Sequence, residues 1–424
     1  MSRAPLSAAA FAGLATTRPA PAAARLLASA VHARRLLLLK ALLVRVHQHR
    51  RDVEAPVLLR FEEAWQLLER AERLRPAVVR DVLDYPTTGA WLAAALAEPV
   101  GPALDRHLVR LESVALAAAL RSGLPLDLAV EAPDGLLSLP GEGRLRTGAV
   151  HLRVTARSGA ARIRPEGRRA AATVLLRTDR HTGALVGTGG GWAGLRTLPE
   201  SRARLDDLDP YRVPPGGVGS PARTAAEHGD TDHVAWAARW RAAQDLLART
   251  DPVRGTEVRR AVRAVVPLTA HGPRSVGATL SAAPGAVLTS PPAGAPDLAE
   301  TLVHEIHHSK LATLHALVPL YLPGRAVTHR VGWRQDPRPV AGVFQGAYAH
   351  LALTDLWRRA AGADGVPAPW RACAARQFDR IHDQVGEALT ILLESDELTN
   401  AGREFAHQMK RHHASLGAAP RALG

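Results

Sequence analysis

Two histidines four residues apart, with a glutamate beside the first, are the residues best suited to chemistry. They stand in His304-Glu305-Ile306-His307-His308, within the stretch Leu298 to Leu317. On a helix, four-residue spacing puts His304 and His308 one turn apart on one face. Two imidazole nitrogens can then reach a single cation. Glu305 lies beside that cation, where it can hold or deprotonate a metal-bound water. His307 occupies a position that the H-E-x-x-H pattern leaves free.

Such a site needs a third protein ligand. The extended metzincin pattern wants a histidine six residues after His308, but Leu314 stands there and His315 is one residue late. Gluzincin peptidases take a downstream glutamate, and none occurs between Glu305 and Glu387, leaving only the distant Glu387 and Glu394. The best third ligand is His350, on a helix long enough to fold back along the metal helix. Asp355 is the competing oxygen donor. Arg334 and Arg338 bracket a rigid Asp336-Pro337 turn just before that helix. Their guanidiniums offer paired donors for a carboxylate, belonging to a peptide terminus in a peptidase or to an acidic cosubstrate in an oxygenase.

Three weaker signals remain. His228-Gly229-Asp230-Thr231-Asp232-His233 contains H-x-D, the pair that many double-stranded β-helix iron oxygenases use. It precedes a helix here, so Asp230 or Asp232 reads better as an N-cap. Asp206, Asp207 and Asp209 could bind a cation, although turn and capping roles are commoner. Gly187-Thr188-Gly189-Gly190-Gly191 lacks the Lys-Ser/Thr of a phosphate cradle and reads as a loop.

The elements that must position these residues follow from periodicity. Residues 1–125 form an N-terminal helical region, with apolar residues spaced by three and four over Ala24–His49, Pro56–Leu74, Pro76–Leu83, Leu92–Leu96 and Leu104–Leu120. Residues 126–204 are a small β-rich region, with alternation at Val150–Val154, Ala161–Arg164 and Ala172–Leu176, punctuated by Gly and Pro. Residues 205–424 make a C-terminal helical metal-binding domain. Its expected helices cover Val234–Leu247, Thr256–Leu268, Leu298–Leu317, Val340–Ala360 and Trp370–His413, the last broken near Asn400-Ala401-Gly402. A short strand covers Gly285–Thr289. The fold class is therefore α+β, mainly helical, with a small central antiparallel sheet. Too few strands surround the histidines for a cupin barrel.

Composition narrows the function. The 424 residues carry a net charge of +14, almost all of it from arginine, since Lys40, Lys310 and Lys410 are the only lysines. No basic run interleaves with aromatics, so nucleic-acid binding is not expected; the charge suits an acidic partner. With Cys373 alone there is no disulfide framework and no thiolate metal site. A cytoplasmic location is expected. The N-terminal stretch resembles a signal peptide only faintly, because its apolar run is short and Arg18 breaks it. No apolar run approaches the ~20 residues of a membrane span.

The stretch LAETLVHEIHHSKL, followed by WRQDPRPVAGVFQGAYAHLALTDLWR, resembles the HExxH-motif proteins of ribosomal peptide natural-product (RiPP) biosynthesis. These are the α-ketoglutarate-dependent HExxH-type peptide β-hydroxylases, some of them fused to radical SAM enzymes of the FxsB kind. Further similarity lies in Arg35–Leu39, in Val82-Leu83-Asp84 with Gly89-Ala90-Trp91, and in Leu205–Arg212. One cysteine cannot supply a radical SAM motif, so the resemblance is to the stand-alone form, with a radical SAM enzyme as a possible partner. It implies a non-haem iron dioxygenase that uses Fe(II), 2-oxoglutarate and O₂ to hydroxylate the β-carbon of a residue in a ribosomally synthesised precursor peptide. It makes His304 and His308 iron ligands; His350 is our choice for the third, and we place 2-oxoglutarate near Arg338 or Arg334. Glu305 would then orient a ligand or a metal-bound water. The rival expectation is a zinc metallopeptidase with Glu305 as general base.

Overall fold

The computed structural model describes residues 6–18, 20–166, 173–179, 182–270, 275–322 and 327–417. Met1–Pro5 of the signal-like stretch, Ala172 of an expected strand, and residues 323–326 after the metal helix lie outside the described residues. The protein is mainly helical with several small antiparallel sheets, an α+β architecture. Among the described residues, no helix is long and apolar enough to cross a membrane.

The chain forms two compact units, each discontinuous in sequence. One comprises His32–His233 and Arg263–Thr269; the other comprises Met1–Val31, Val234–Val262 and Ala270–Gly424. In the first, the short helices Pro76–Leu83, Pro86–Ala97 and Pro102–Leu108 each open on a proline, whose fixed φ suits the first helical turn. The helix Arg110–Ser122 is apolar around most of its circumference and is buried accordingly. The expected single helix over Leu104–Leu120 is thus two, broken at Val109.

A five-stranded antiparallel sheet follows, in the order Leu126–Glu131, His151–Arg157, Ala160–Pro165, Val174–Thr178 and Leu185–Thr188. Alternation sends Leu152, Val154, Ile163, Val174 and Leu176 into a core shared with Trp91 and Leu111. Ser158 and Gly159, both with positive φ, close the tight hairpin between its second and third strands. One expected helix is corrected. Pro252–Ala261 is helical, capped by Asp251, but Ala264–Pro267 is a strand in parallel pairing with Arg204–Leu205. Its run of β-branched residues fits a pleated ladder better than a helix.

In the other unit the metal helix spans Ala295–Leu317 and the return helix Val340–Ala361, followed by Ala368–Glu394 and Asn400–Gly417. Asp297, in the first turn of the metal helix, accepts from Ser275 Oγ and from the Ala293 amide. Trp357 Nε1 donates to Glu300 Oε1 at 2.7 Å and ties the return helix to the metal helix. A hairpin of Gly277–Ala278 with Ala286–Thr289 lies beside the metal helix. The N-terminal helix Ala8–Ala15 joins through Phe11, which meets Phe405 edge-on at 5.2 Å, and through the Leu14 carbonyl, which accepts from the Tyr348 hydroxyl. Gly402 is needed where the last helix begins, since a Cβ there would stand 1.7 Å from the Leu320 carbonyl oxygen.

Candidate metal centre

His304 and His308 meet nitrogen to nitrogen, with their Nε2 atoms 2.9 Å apart. Ligands about 2.1 Å from one ion and at right angles to each other stand ~3.0 Å apart. The pair is therefore spaced for a shared cation. Glu305 joins them: one donor atom from each of the three residues lies within 4.8 Å of the others.

The neighbouring hydrogen bonds set the tautomers. The Nδ1–H of His308 donates to Gln345 Oε1 at 3.2 Å. The Nδ1–H of His350 donates to the Gly346 carbonyl at 2.9 Å. In both rings the proton is thereby assigned to Nδ1, and Nε2 keeps its lone pair, the usual arrangement of a metal-bound histidine. His350 contacts His304 edge to face at 4.9 Å between ring centroids, and Trp333 stacks on His350 at 4.5 Å. The return helix thus sets His350 against His304, while the residues whose donor atoms stand at ligand spacing are His304, Glu305 and His308, without His350. All three imidazoles are held neutral. Burial pushes His304 far below the ordinary value, helped by His308 and His350. Burial lowers His308 against the opposing bond to Gln345, and brings His350 down to about 4. Neutral imidazoles are the form a metal takes.

Glu305 is buried, and burial pushes its carboxyl up to about 7 against the opposing bond from Thr279. That hydroxyl donates to Glu305 Oε2 at 2.7 Å. Gly277 leaves room for the other oxygen, since a Cβ there would come within 2.6 Å of Oε1. Gln345, Thr279, Gly277 and Trp333 were not singled out for this site from the sequence. Trp333 and Gln345 both stood inside the quoted stretch WRQDPRPVAGVFQGAYAHLALTDLWR, shortly before His350, and were the legible ones.

Other expected residues lie elsewhere. Asp355, the competing ligand, is buried in an ion cluster: its Oδ2 accepts from Arg18 at 2.6 Å and Arg254 at 3.3 Å, and its Oδ1 from Arg359 at 3.2 Å. It is committed to guanidiniums, which corrects the expectation. His307 is fully buried, gives its Nδ1–H to the Val303 carbonyl, and accepts at Nε2 from Arg254 at 3.0 Å. The position the motif leaves free is a packing and hydrogen-bonding position here. Arg334 and Arg338 both hold Asp336, at 2.9 and 3.2 Å, on an exposed turn. They face a carboxylate of this chain.

Compared with protein-family models and with curated proteins, the chain matches none.

Proposed function

We propose that this protein is a single-metal enzyme acting on peptides, and specifically an Fe(II)- and 2-oxoglutarate-dependent hydroxylase of a β-carbon in a ribosomally synthesised precursor peptide. The observation that carries the metal assignment is the 2.9 Å approach of the His304 and His308 Nε2 atoms with Glu305 at ligand spacing; His350, packed against His304 with its Nδ1 spent on Gly346, is the proposed third ligand. The donor set suits a borderline 3d ion, and three nitrogens leave open positions for a chelating cosubstrate and O₂. Fe(II) held there would supply the oxidising chemistry. The chain's own share is to keep the three imidazoles neutral and aimed, through Gln345 and Gly346, and to keep Glu305 beside the ion. The reaction class itself rests on the resemblance.

Arg334 and Arg338 share the one carboxylate of Asp336, which leaves a net charge of +1 on the turn for an incoming carboxylate to meet in competition with Asp336. No step is assigned to them with 2-oxoglutarate. A peptide has an edge to dock on: Gly277–Ala278 pairs with Ala286–Thr289 on one side and, among the described residues, with no strand on the other. An extended chain added there would run close to Glu305.

A second reading, a zinc peptidase, is favoured by one observation. A buried carboxyl stands beside His304 and His308 where a general base would act; burial raises it to about 7 in the metal-free protein, and a bound cation would bring it down toward the ionised form that accepts a proton. The test compares the two. Protein purified without oxygen is loaded with Fe(II) and 2-oxoglutarate, beside His308→Ala. A visible charge-transfer band in wild type that the variant lacks supports the hydroxylase. Tight zinc binding with no band, and peptide cleavage lost in Glu305→Gln, refutes it in favour of the peptidase.

A further inference from the structure

A second group of metal-ligand type lies in the other unit. After the strand Arg204–Leu205 the chain turns through three aspartates. Asp206 Oδ1 accepts from the Asp209 amide, and its Oδ2 accepts from the buried Tyr85 hydroxyl at 2.8 Å. Asp209 accepts from the Tyr211 amide and pairs with Arg110. Both have structural partners.

Asp207 differs. It is 1% exposed, yet its Oδ2 meets only two imidazoles, Nδ1 of His228 at 2.9 Å and Nε2 of His233 at 2.9 Å. Its Oδ1, equally buried, has no hydrogen-bond partner. His228 sits on the single turn His228–Asp230, and His233 opens the helix His233–Thr250. Both rings are partly open to solvent, and their centroids lie 4.9 Å apart. The expectation for this segment paired His228 with Asp230, or gave Asp230 or Asp232 a capping role. Neither aspartate belongs to this group. The carboxylate comes from 21 residues before His228.

We infer that Asp207, His228 and His233 form a second metal site, for zinc or a neighbouring divalent 3d ion. Two imidazoles and one carboxylate are borderline donors, and calcium or magnesium would demand more oxygens. Ligands on one such ion stand ~3.0–3.4 Å apart at right-angled or tetrahedral geometry, close to the separations seen here. A buried carboxylate oxygen without a partner is costly, and a cation chelated by both oxygens of Asp207 satisfies it. The charges facing the group include Arg144, which senses Asp207, Glu227 and Arg212. Arg212 is held by the carbonyls of Asp209 and Ala226. The ion would clip both ends of the stretch between Asp209 and His228, which contains no helix or strand. Closing that loop removes conformational freedom from the unfolded chain.

The test uses the full chain without a tag, stripped with chelator, reloaded with Co²⁺ and desalted. Bound cobalt per chain is counted and its visible spectrum recorded. Wild type is expected to hold two equivalents and His304→Ala/His308→Ala one. Adding His228→Ala to that double variant is expected to weaken the remaining Co²⁺ at least about tenfold. If the double variant holds no cobalt, or keeps its equivalent after both His228→Ala and Asp207→Asn, the site is refuted. A measurement on the unmutated chain guards against a variant that misfolds: Co²⁺ should slow amide exchange across residues 205–233, and unchanged exchange with cobalt bound overturns the proposal. Failure of the HExxH centre reads differently, as one equivalent that His228→Ala removes and His304→Ala leaves.

Discussion

Gln345→Leu isolates the contribution of a single acceptor to the HExxH centre. In the wild type that acceptor holds the proton of His308 on Nδ1, and Tyr321 hydrogen-bonds the same amide. Leucine keeps the side chain's bulk and removes the oxygen. At 3.2 Å the bond is at the long end of the N–H···O range, so its direct loss costs about 1 kcal/mol. The larger effect is on the tautomer: without the acceptor, the proton is free to occupy Nε2, where it blocks the ion. Together these should weaken metal binding about 10–30-fold, at about 1.4 kcal/mol per factor of ten. The assay is Zn²⁺ competition against a chromophoric chelator near neutral pH, with His228→Ala in both proteins so that one centre reports. Gln345→Glu keeps an acceptor and should bind within about threefold of the parent. The reasoning is refuted if folded Gln345→Leu binds Zn²⁺ as tightly as its parent while His308→Ala abolishes binding.

Other perturbations probe different parts of the molecule. Gly277→Ala brings a Cβ to 2.6 Å from Glu305 Oε1 where ordinary contact begins at 3.4 Å, so the carboxylate must move by 0.8 Å. Turnover should fall about 100-fold with Zn²⁺ affinity little changed; unaltered turnover would free Glu305 of any part in the chemistry. Asp355→Ala should destabilise the fold by about 3 kcal/mol in urea, by stripping a buried partner from Arg254 and Arg18. Burial alone would raise the Asp355 carboxyl, but Arg254 and Arg18 outweigh it and hold it below the ordinary range. Its folded pKa lies below the unfolded value of ~3.9, so its contribution is complete above that pH and is lost as pH falls through the folded pKa. The variant should therefore lose less stability than wild type on acidification below pH ~4. Asp336→Asn should lower the KM for 2-oxoglutarate if Arg334 and Arg338 receive it, because a competing carboxylate is removed; an unchanged KM would place the cosubstrate elsewhere. Gly402→Val should lower the melting temperature or abolish folding, since the Leu320 carbonyl occupies the space of its Cβ.

The parts of this structure that were legible are those governed by local pattern. Leu298–Leu317 announced its helix by apolar spacing, and the helix runs Ala295–Leu317. His151–Arg157 and its neighbours showed their alternation because one sheet face is buried and the other is not. What was missed depends on distant partners. Ala264–Pro267 continues the spacing of the helix before it, and pairing with distant chain such as Arg204–Leu205 makes it a strand. Thr279 and Glu305 are joined by folding alone, as are Asp207 and His228. A polar residue 20 or more positions away leaves no periodic trace of the bond it will make. The histidines at 228 and 233 were visible, but spacing paired His228 only with Asp230, whereas both rings meet Asp207.

The joining of Ala8–Ala15 to the last helix has a consequence for synthesis on the ribosome. The residues of the metal helix emerge before those of Asn400–Gly417, yet Phe11 waits for Phe405 and the Leu14 carbonyl for Tyr348. All of His32–His233 is made in between. The unit that carries the HExxH helix therefore closes only after nearly the whole chain has been translated, and its earliest segment remains unpaired longest. Contacts of such separation slow folding and expose apolar surface meanwhile. Deleting Asn400–Gly417 should accordingly trap the nascent metal unit open, although that helix supplies none of the three imidazoles.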